Sequence, residues 1–409
     1  MAGSTIDHLI SVTVFIAAML LFISLFNQMI QTAVIYQRHK ALATKCSDML
    51  DNILLNPGYP LEWGKTNGTP TSFGLQDPEF TQYRLSPYSL MRLQSSYGEP
   101  VFYTPLGIYY SNITMGFGNF LLVPYTLALN YSTASKLLGV NNTYGFQLTI
   151  TPVIAVSVTE VGAGNPLILK VQVTGMGFPL ANATVSYCFL KVSEKGGQSS
   201  PSYSSFFGTT YTNDDGSTFV SVSDVDSDDS YALIAYAHMS GLIGIGFHQR
   251  ASGTKRYVIP LVDSFADRRV LLAHSYDVHY QGPPESAVFF NATFVMLTED
   301  FELREMPMED AVGKLGKIVY GHGTEKTYWN LTIPTFNPGI LIITYQSNNE
   351  YGVVLMPWGI SSMAFPVVFG GEPSGKEWVA TDLRQVLVNG VAYQAKLSLW
   401  SLEGYQVVS

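Results

Sequence analysis

The spacing of apolar and polar residues changes rhythm along this chain. From Leu9 to Tyr36 there is no alternation at all. Leu9-Ile-Ser-Val-Thr-Val-Phe-Ile-Ala-Ala-Met-Leu-Leu-Phe-Ile-Ser-Leu-Phe26 and then Asn27 to Tyr36 run without a charged side chain. A bilayer core of ~30 Å takes about 20 mostly apolar helical residues, and this run is long enough. It exceeds the apolar centre of a cleaved secretory signal, and no small-residue cleavage site follows it. Beyond Tyr36 the apolar positions narrow to one stripe, Leu42, Cys46, Met49, Leu50, Ile53 and Leu54, the spacing of one helix face. Residues 4–56 contain no Gly or Pro, and Asn56-Pro57-Gly58 ends the pattern. At about 1.5 Å per residue, a helix from Thr5 to Leu55 is roughly 75 Å long, more than twice the membrane core. About half of it must leave the lipid, carrying a seam to lay against something. Ser4 reads as its N-cap, with Asp7 in the first turn.

From Tyr144 the period becomes two. Ile154, Val156 and Val158 alternate with Ala155 and Ser157, and Leu167, Leu169, Val171 and Val173 with Ile168, Lys170 and Gln172. Ala183, Val185, Tyr187 and Phe189 alternate with Thr184 and Ser186. With turn residues every ~8–12 positions, this predicts an antiparallel β-sandwich. Two hairpins echo one another: Tyr231 to Tyr236 with Gly241-Leu-Ile-Gly-Ile, and Gly339 to Tyr345 with Gly352-Val-Val-Leu. Asn389-Gly390 between two apolar runs predicts a type I′ hairpin. Thr298 to Lys317 is the most charged stretch and reads as a helix-prone surface excursion. Val101 to Ser132 reads as irregular strands. Between these blocks, Asn56-Pro-Gly-Tyr-Pro-Leu-Glu-Trp63-Gly64 makes a rigid turn, and Ser86-Pro87 starts a short helix buried through Leu90 and Leu93.

The long apolar helix, its closure by Pro-Gly-Tyr-Pro-x-x-Trp-Gly, then Gly74-Leu75 and the short Leu-rich helix, resemble archaeal type IV pilin-like membrane proteins over about Ser4 to Leu93. The resemblance implies a peptidase cut just before the helix, and Gly3 stands at such a position, although no Lys or Arg precedes it. It also implies that Asp7 pairs with the amino terminus of a neighbouring subunit. Separately, Gly177-Phe-Pro-Leu-Ala-Asn-Ala-Thr-Val-Ser-Tyr187, followed by Thr212-Asn-Asp-Asp-Gly216, is similar to bacterial immunoglobulin-like and carboxypeptidase-regulatory-like surface modules over about Gln147 to His248. Such modules are structural or adhesive. The expected fold class is therefore α+β, mainly β: a transmembrane helix followed by antiparallel, immunoglobulin-like sandwich domains. The expected division is 1–56 for the helix, 57–145 for a connecting mixed subdomain, 146–250 for the immunoglobulin-like unit and 251–409 for a second β-domain.

Composition narrows the setting. Only 13% of the 409 residues are charged while 47% are hydrophobic, the balance of an extracytoplasmic β-rich protein. The net charge is −9 with no basic cluster after Lys45, which argues against nucleic acid as a partner. Arg38, Lys40 and Lys45 follow the span and none precedes it, which favours a cytoplasmic C-terminus. Seven N-x-[S/T] sequons, at Asn67, Asn112, Asn130, Asn141, Asn182, Asn291 and Asn330, favour the opposite. Sequons and composition together place the β-domains outside the cell, on a single-pass anchor in the cell membrane. Asn27, Gln28 and Gln31 late in the span favour contact with other helices, because an amide facing lipid is unsatisfied.

No G-x-S-x-G, H-E-x-x-H, C-x-x-C or Walker loop occurs, so no enzymatic role is expected. Gly241-Leu-Ile-Gly-Ile-Gly246 falls in a hairpin and not before a helix, so it is not a phosphate cradle. His274 and His279 point to opposite faces if they share a strand, which spoils a metal site with Asp277. Cys46 and Cys188 are not expected to form a bridge. No cofactor is expected, with one candidate exception: Asp224, Asp226 and Asp228 offer alternate carboxylates to Ca²⁺ in a loop. Three readings follow: a pilin-like structural or adhesive subunit that self-associates through its helix, a monomeric anchored surface glycoprotein binding a partner or surface layer through its β-domains, and, without a supporting constellation, a surface hydrolase.

Overall fold

The computed structural model describes residues 2–79, 82–93, 101–115, 119–124, 127–193, 199–252, 257–279, 286–298, 300–316, 325–348, 350–359, 364–376 and 378–402. One long helix, α1 (Ala2–Leu55), leads into a head built mainly from sheets. After α1 come α2 (Pro87–Met91), β1 (Val101–Tyr103), β2 (Ile108–Met115), β3 (Asn119–Pro124) and α3 (Tyr131–Leu137). The period-two region gives β4 (Tyr144–Pro152), β5 (Ile154–Gly162), β6 (Leu167–Gly175), β7 (Phe178–Pro179), β8 (Thr184–Ser193), β9 (Ser202–Tyr211), β10 (Ser217–Val222), β11 (Tyr231–Met239) and β12 (Leu242–Arg250). Then follow β13 (Val258–Ser264), β14 (Arg269–His274), α4 (Ser275–His279), β15 (Val288–Leu297), β16 (Leu303–Met306), β17 (Val312–Leu315) and β18 (Tyr328–Thr332). The chain ends in β19 (Gly339–Ser347), β20 (Glu350–Trp358), β21 (Val367–Gly370), β22 (Ala380–Val388) and β23 (Val391–Ser401).

The largest sheet runs β21-β4-β23-β12-β11-β8-β9, with β22 on β23. It therefore crosses the boundary placed at 250/251: β4 and β23 pair from Tyr144↔Ser401 to Pro152↔Tyr393. One face of this sheet covers β5, β6 and β10 through Val185, Phe189, Leu233 and Ala235, which meet Leu169, Val171 and Val220. The other face meets β20, so Leu190, Ala232 and Ile234 join a second core. That is why β11 is buried along Tyr231–Ala237 and shows no alternation. β6 has a covered and an open face, and it keeps the period of two. Gly244 and Gly246 stand where β5 crosses β12; a Cβ there would strike Ile154 and Val156. The glycines expected to be inert for phosphate thus have a packing reason.

Two sequence expectations are corrected. Among the described residues, Thr298 to Lys317 forms no helix and supplies β16 and β17, both paired with β15. Glu305 stands on β16, where its carboxylate accepts from Tyr203, Ser205 and Thr293, so strand pairing outweighs the local helix propensity. Ser4 lies inside α1 and does not cap it. Elsewhere local chemistry works as read. Ser86 caps α2 by accepting from Ser89 N at 3.3 Å. Asn389 and Gly390 both take positive φ, 46° and 83°, in the β22–β23 hairpin.

Candidate membrane anchor and its seat on the head

α1 has two halves with different surroundings. From Ile6 to Ala41 its residues are exposed almost throughout, Phe22 and Met29 as much as 69% and 70%. Its most apolar window has a mean hydropathy of 2.7, and none of it is covered by the rest of the chain. This is one helix long and apolar enough to cross a membrane. Asp7, Asn27, Gln28 and Gln31 all stand on this bare half, exposed. Thr13 and Thr32 return their hydroxyls to the carbonyls of Leu9 and Gln28, which settles them without an outside partner.

From Leu42 the seam sinks into the head. Cys46, Leu50, Ile53 and Leu54 are fully buried, Leu42 and Met49 nearly so. They pack on β22 and β23. Each such side chain contributes about 1.5–3 kcal/mol on leaving water. The Cys46 thiol donates to Leu397 O at 3.4 Å, and burial, with the nearby Asp382 charge, pushes its pKa up to about 11. Beside the seam, Arg384 of β22 forks onto Asp51: Nε to Oδ1 at 3.0 Å and Nη2 to Oδ2 at 3.2 Å. Nη2 also donates to Ser47 Oγ at 3.0 Å, and Nη1 to Asp382 Oδ1 at 2.8 Å. The hydrogen bonds to Asp51 and then Asp382 hold the guanidinium pKa above its ordinary value. Asp382 is held below the usual carboxylate range: partial burial pulls it up, and Ser47 and Arg384 outweigh that. One planar fork thus ties two successive turns of α1 to one strand.

The seat also fixes the direction of the head. Trp378 lies over His39, ring centroids 3.7 Å apart, and Arg384 reaches Ser47 and Asp51. β22 therefore runs alongside α1 in the same direction. Below the seat the chain turns at residues 56–76 around Arg92, whose side chain is 1% exposed. Arg92 donates to the carbonyls of Leu127 at 2.7 Å, Thr66 at 3.0 Å, Gly68 at 2.7 Å, and Trp63. Burial brings its pKa down to about 10. Two of those carbonyls flank Asn67, which is held exposed at the tip.

Asn130, Asn141, Asn182 and Asn330 are exposed as well. Asn130 caps α3 through Oδ1, accepting from Thr133 N at 2.8 Å, so its Nδ2 is left for other chemistry. Asn291 is half-buried and donates Nδ2 to Pro201 O at 3.3 Å. The side chain of Asn112 lies outside the described residues. Asp224, Asp226 and Asp228 are exposed, and the neighbouring carbonyls are already taken. Lys191 reaches Asp224 O, Arg250 reaches Asp226 O at 2.6 Å, and Lys191 pairs with Asp229 at 2.7 Å. Among the described residues, no group of three or more His, Cys, Asp or Glu is arranged to hold a metal. His274 ends β14 fully buried, Asp277 lies in α4, and the His279 side chain lies outside the described residues. Burial lowers the His274 pKa and raises that of Asp277. Cys46 and Cys188 are both free and buried.

Sequence reasoning found the seam and missed the fork. Arg384 and Asp382 sit in an alternating strand, where charges read as the wet face. The only signal was Ser47 and Asp51, polar residues flanking the seam at helical spacing.

No protein-family model matches the chain, and no curated protein does. Among solved structures it is similar to trypsin-activated α-2-macroglobulin from Escherichia coli, at 10% identity and a TM-score of 0.21, over 68% of this chain and 20% of that one. A Salmonella α-2-macroglobulin reacted with methylamine gives 9% identity and a TM-score of 0.19, over 57% and 17%. The chain spans about a fifth or less of the length of these proteins.

Proposed function

We propose that this chain is a membrane-anchored cell-surface protein with a structural or adhesive role, whose β-sandwich, immunoglobulin-like head stands outside the cell. The carrying observation is the bare half of α1: an exposed, uncharged and mostly apolar run from Leu9 to Tyr36 must be covered by lipid or by other helices. In the first reading the subunit is pilin-like and associates with its own kind through this half, with Asn27, Gln28 and Gln31 supplying interhelical hydrogen bonds and Asp7 meeting a neighbour's amino terminus. The exposed sequon asparagines fit an external, glycosylated head.

The second reading is a monomeric anchored glycoprotein that binds a partner or the surface layer through its β-domains. The burial of the Leu42–Leu54 seam favours it, because that stripe is spent within the chain and cannot also line a bundle. The two native thiols are buried, so Gln31→Cys introduces one reactive thiol into native membranes. The first reading expects a disulfide dimer there, and mass spectrometry showing a processed amino terminus. No dimer at positions 27, 28 or 31, together with an intact Met1, selects the second. An Asn67 acceptor shielded from an external reagent would end both.

A further inference from the structure

The head does not hang free on a stalk. Leu9 to Tyr36 is 28 residues, about 42 Å of helix, which matches a whole bilayer of ~40–45 Å including both headgroup layers. The first charged residue after it is Arg38, and the indole of Trp378 already lies on His39. One end of the head is therefore level with the headgroups. Strand register identifies what else is on that end. Ala380 pairs with Leu399, so Leu402 at the end of β23 lies level with the residues just before β22. Leu402 N donates to Thr143 O at 3.0 Å, which places the 139–143 turn on the same rim.

This rim has the chemistry of an interface. Trp378 is 46% exposed and Leu402 50%, two large apolar side chains with open faces at one level. Arg38, Lys40 and Lys376 are exposed around them, and Glu372, Glu377 and Glu403 neighbour them in sequence, so the edge is mixed in charge. An indole that is apolar along its body and polar at its N–H prefers the membrane–water boundary.

We infer that the rim formed by Trp378 and Leu402 rests on the headgroup layer of the bilayer that α1 crosses, so that helix and rim together fix the tilt of the head. The inference depends on α1 being a membrane span. The test uses the full chain in nanodiscs of phosphatidylcholine, with and without bromine near the headgroup end of the acyl chain. Bromine quenches indoles that reach it. The brominated lipid should remove about a fifth of the emission, one indole of the five. That loss should vanish in Trp378→Phe and persist in Trp329→Phe. Full incorporation with no quenching, or with quenching unchanged in Trp378→Phe, overturns the inference and leaves the span intact. Failure of the chain to float with vesicles overturns both.

Discussion

The two halves of α1 obey the same local rules and differ in what surrounds them. Residues 9–36 are mostly apolar on every side, carry no charge and touch little else in the chain; residues 42–54 are apolar on one stripe, and that stripe lies in the core. An all-round apolar helix calls for an apolar solvent, whereas a striped one calls for a partner surface. The switch occurs within two turns, between Tyr36 and Leu42. Because no Gly or Pro intervenes, the helix transmits the orientation of one half to the other. The sharpest way to break this contrast is to damage each half equally. Leu50→Ala should destabilise the head by about 2–5 kcal/mol, as for other buried Leu truncations, measured by denaturant unfolding in detergent. Leu20→Ala should leave head stability within about 0.5 kcal/mol. Equal losses would mean that the bare half also packs on the protein.

Cys46 reports the same seating kinetically. Its pKa of about 11 makes its thiolate at least about a hundredfold scarcer than that of an ordinary thiol, and the seam hides it as well. Ala43 stands one turn earlier on the exposed side. Maleimide should therefore label Ala43→Cys in a Cys46→Ser background at least about a hundredfold faster than it labels native Cys46. Comparable rates would show that the seam opens freely.

The sequence carried this division well. Leu42, Cys46, Met49, Leu50, Ile53 and Leu54 were legible because a helix repeats its face whatever it packs against, and all six are buried. The hairpins at Asn389-Gly390 and Gly241 were legible because turn chemistry is local. What covers the seam was not legible. β22 and β23 lie more than three hundred residues further on, and nothing in Ala380–Val388 marks it as a helix seat. The layering was hidden for the same reason: β11 buries both faces because β20 arrives from the far end of the chain, which erases alternation. The Thr298–Lys317 reading failed where partner strands outweighed local propensity.

Arg384 makes the comparison finer, since it holds the seated half by polar contacts alone. Arg384→Ala removes bonds to Asp51, Ser47 and Asp382 and leaves two carboxylates facing each other. With its side chain 25% exposed, the expected cost is about 1–2 kcal/mol, below that of Leu50→Ala. The Cys46 labelling rate should rise in this variant and stay unchanged in Leu20→Ala. A silent Arg384→Ala would mean that the apolar seam alone fixes the helix.

The smallest effect is titration of the fork. The Asp382 carboxyl is held below its ordinary range when folded. A group of this kind binds its proton more readily in the unfolded chain. Its contribution is therefore fully present above the unfolded value of about 3.9 and is lost as pH falls through the lower folded value. Arg384 stays charged throughout this window, so protonated Asp382 gives up its ionic bond while the apolar seam remains. The seated half should loosen below about pH 4, read as faster Cys46 modification by a thiol reagent that works in acid, such as a pyridyl disulfide, with no change in the helix content of the bare half. Asp382→Asn should flatten that acid dependence; if the variant keeps the full wild-type slope, another carboxylate governs the seat.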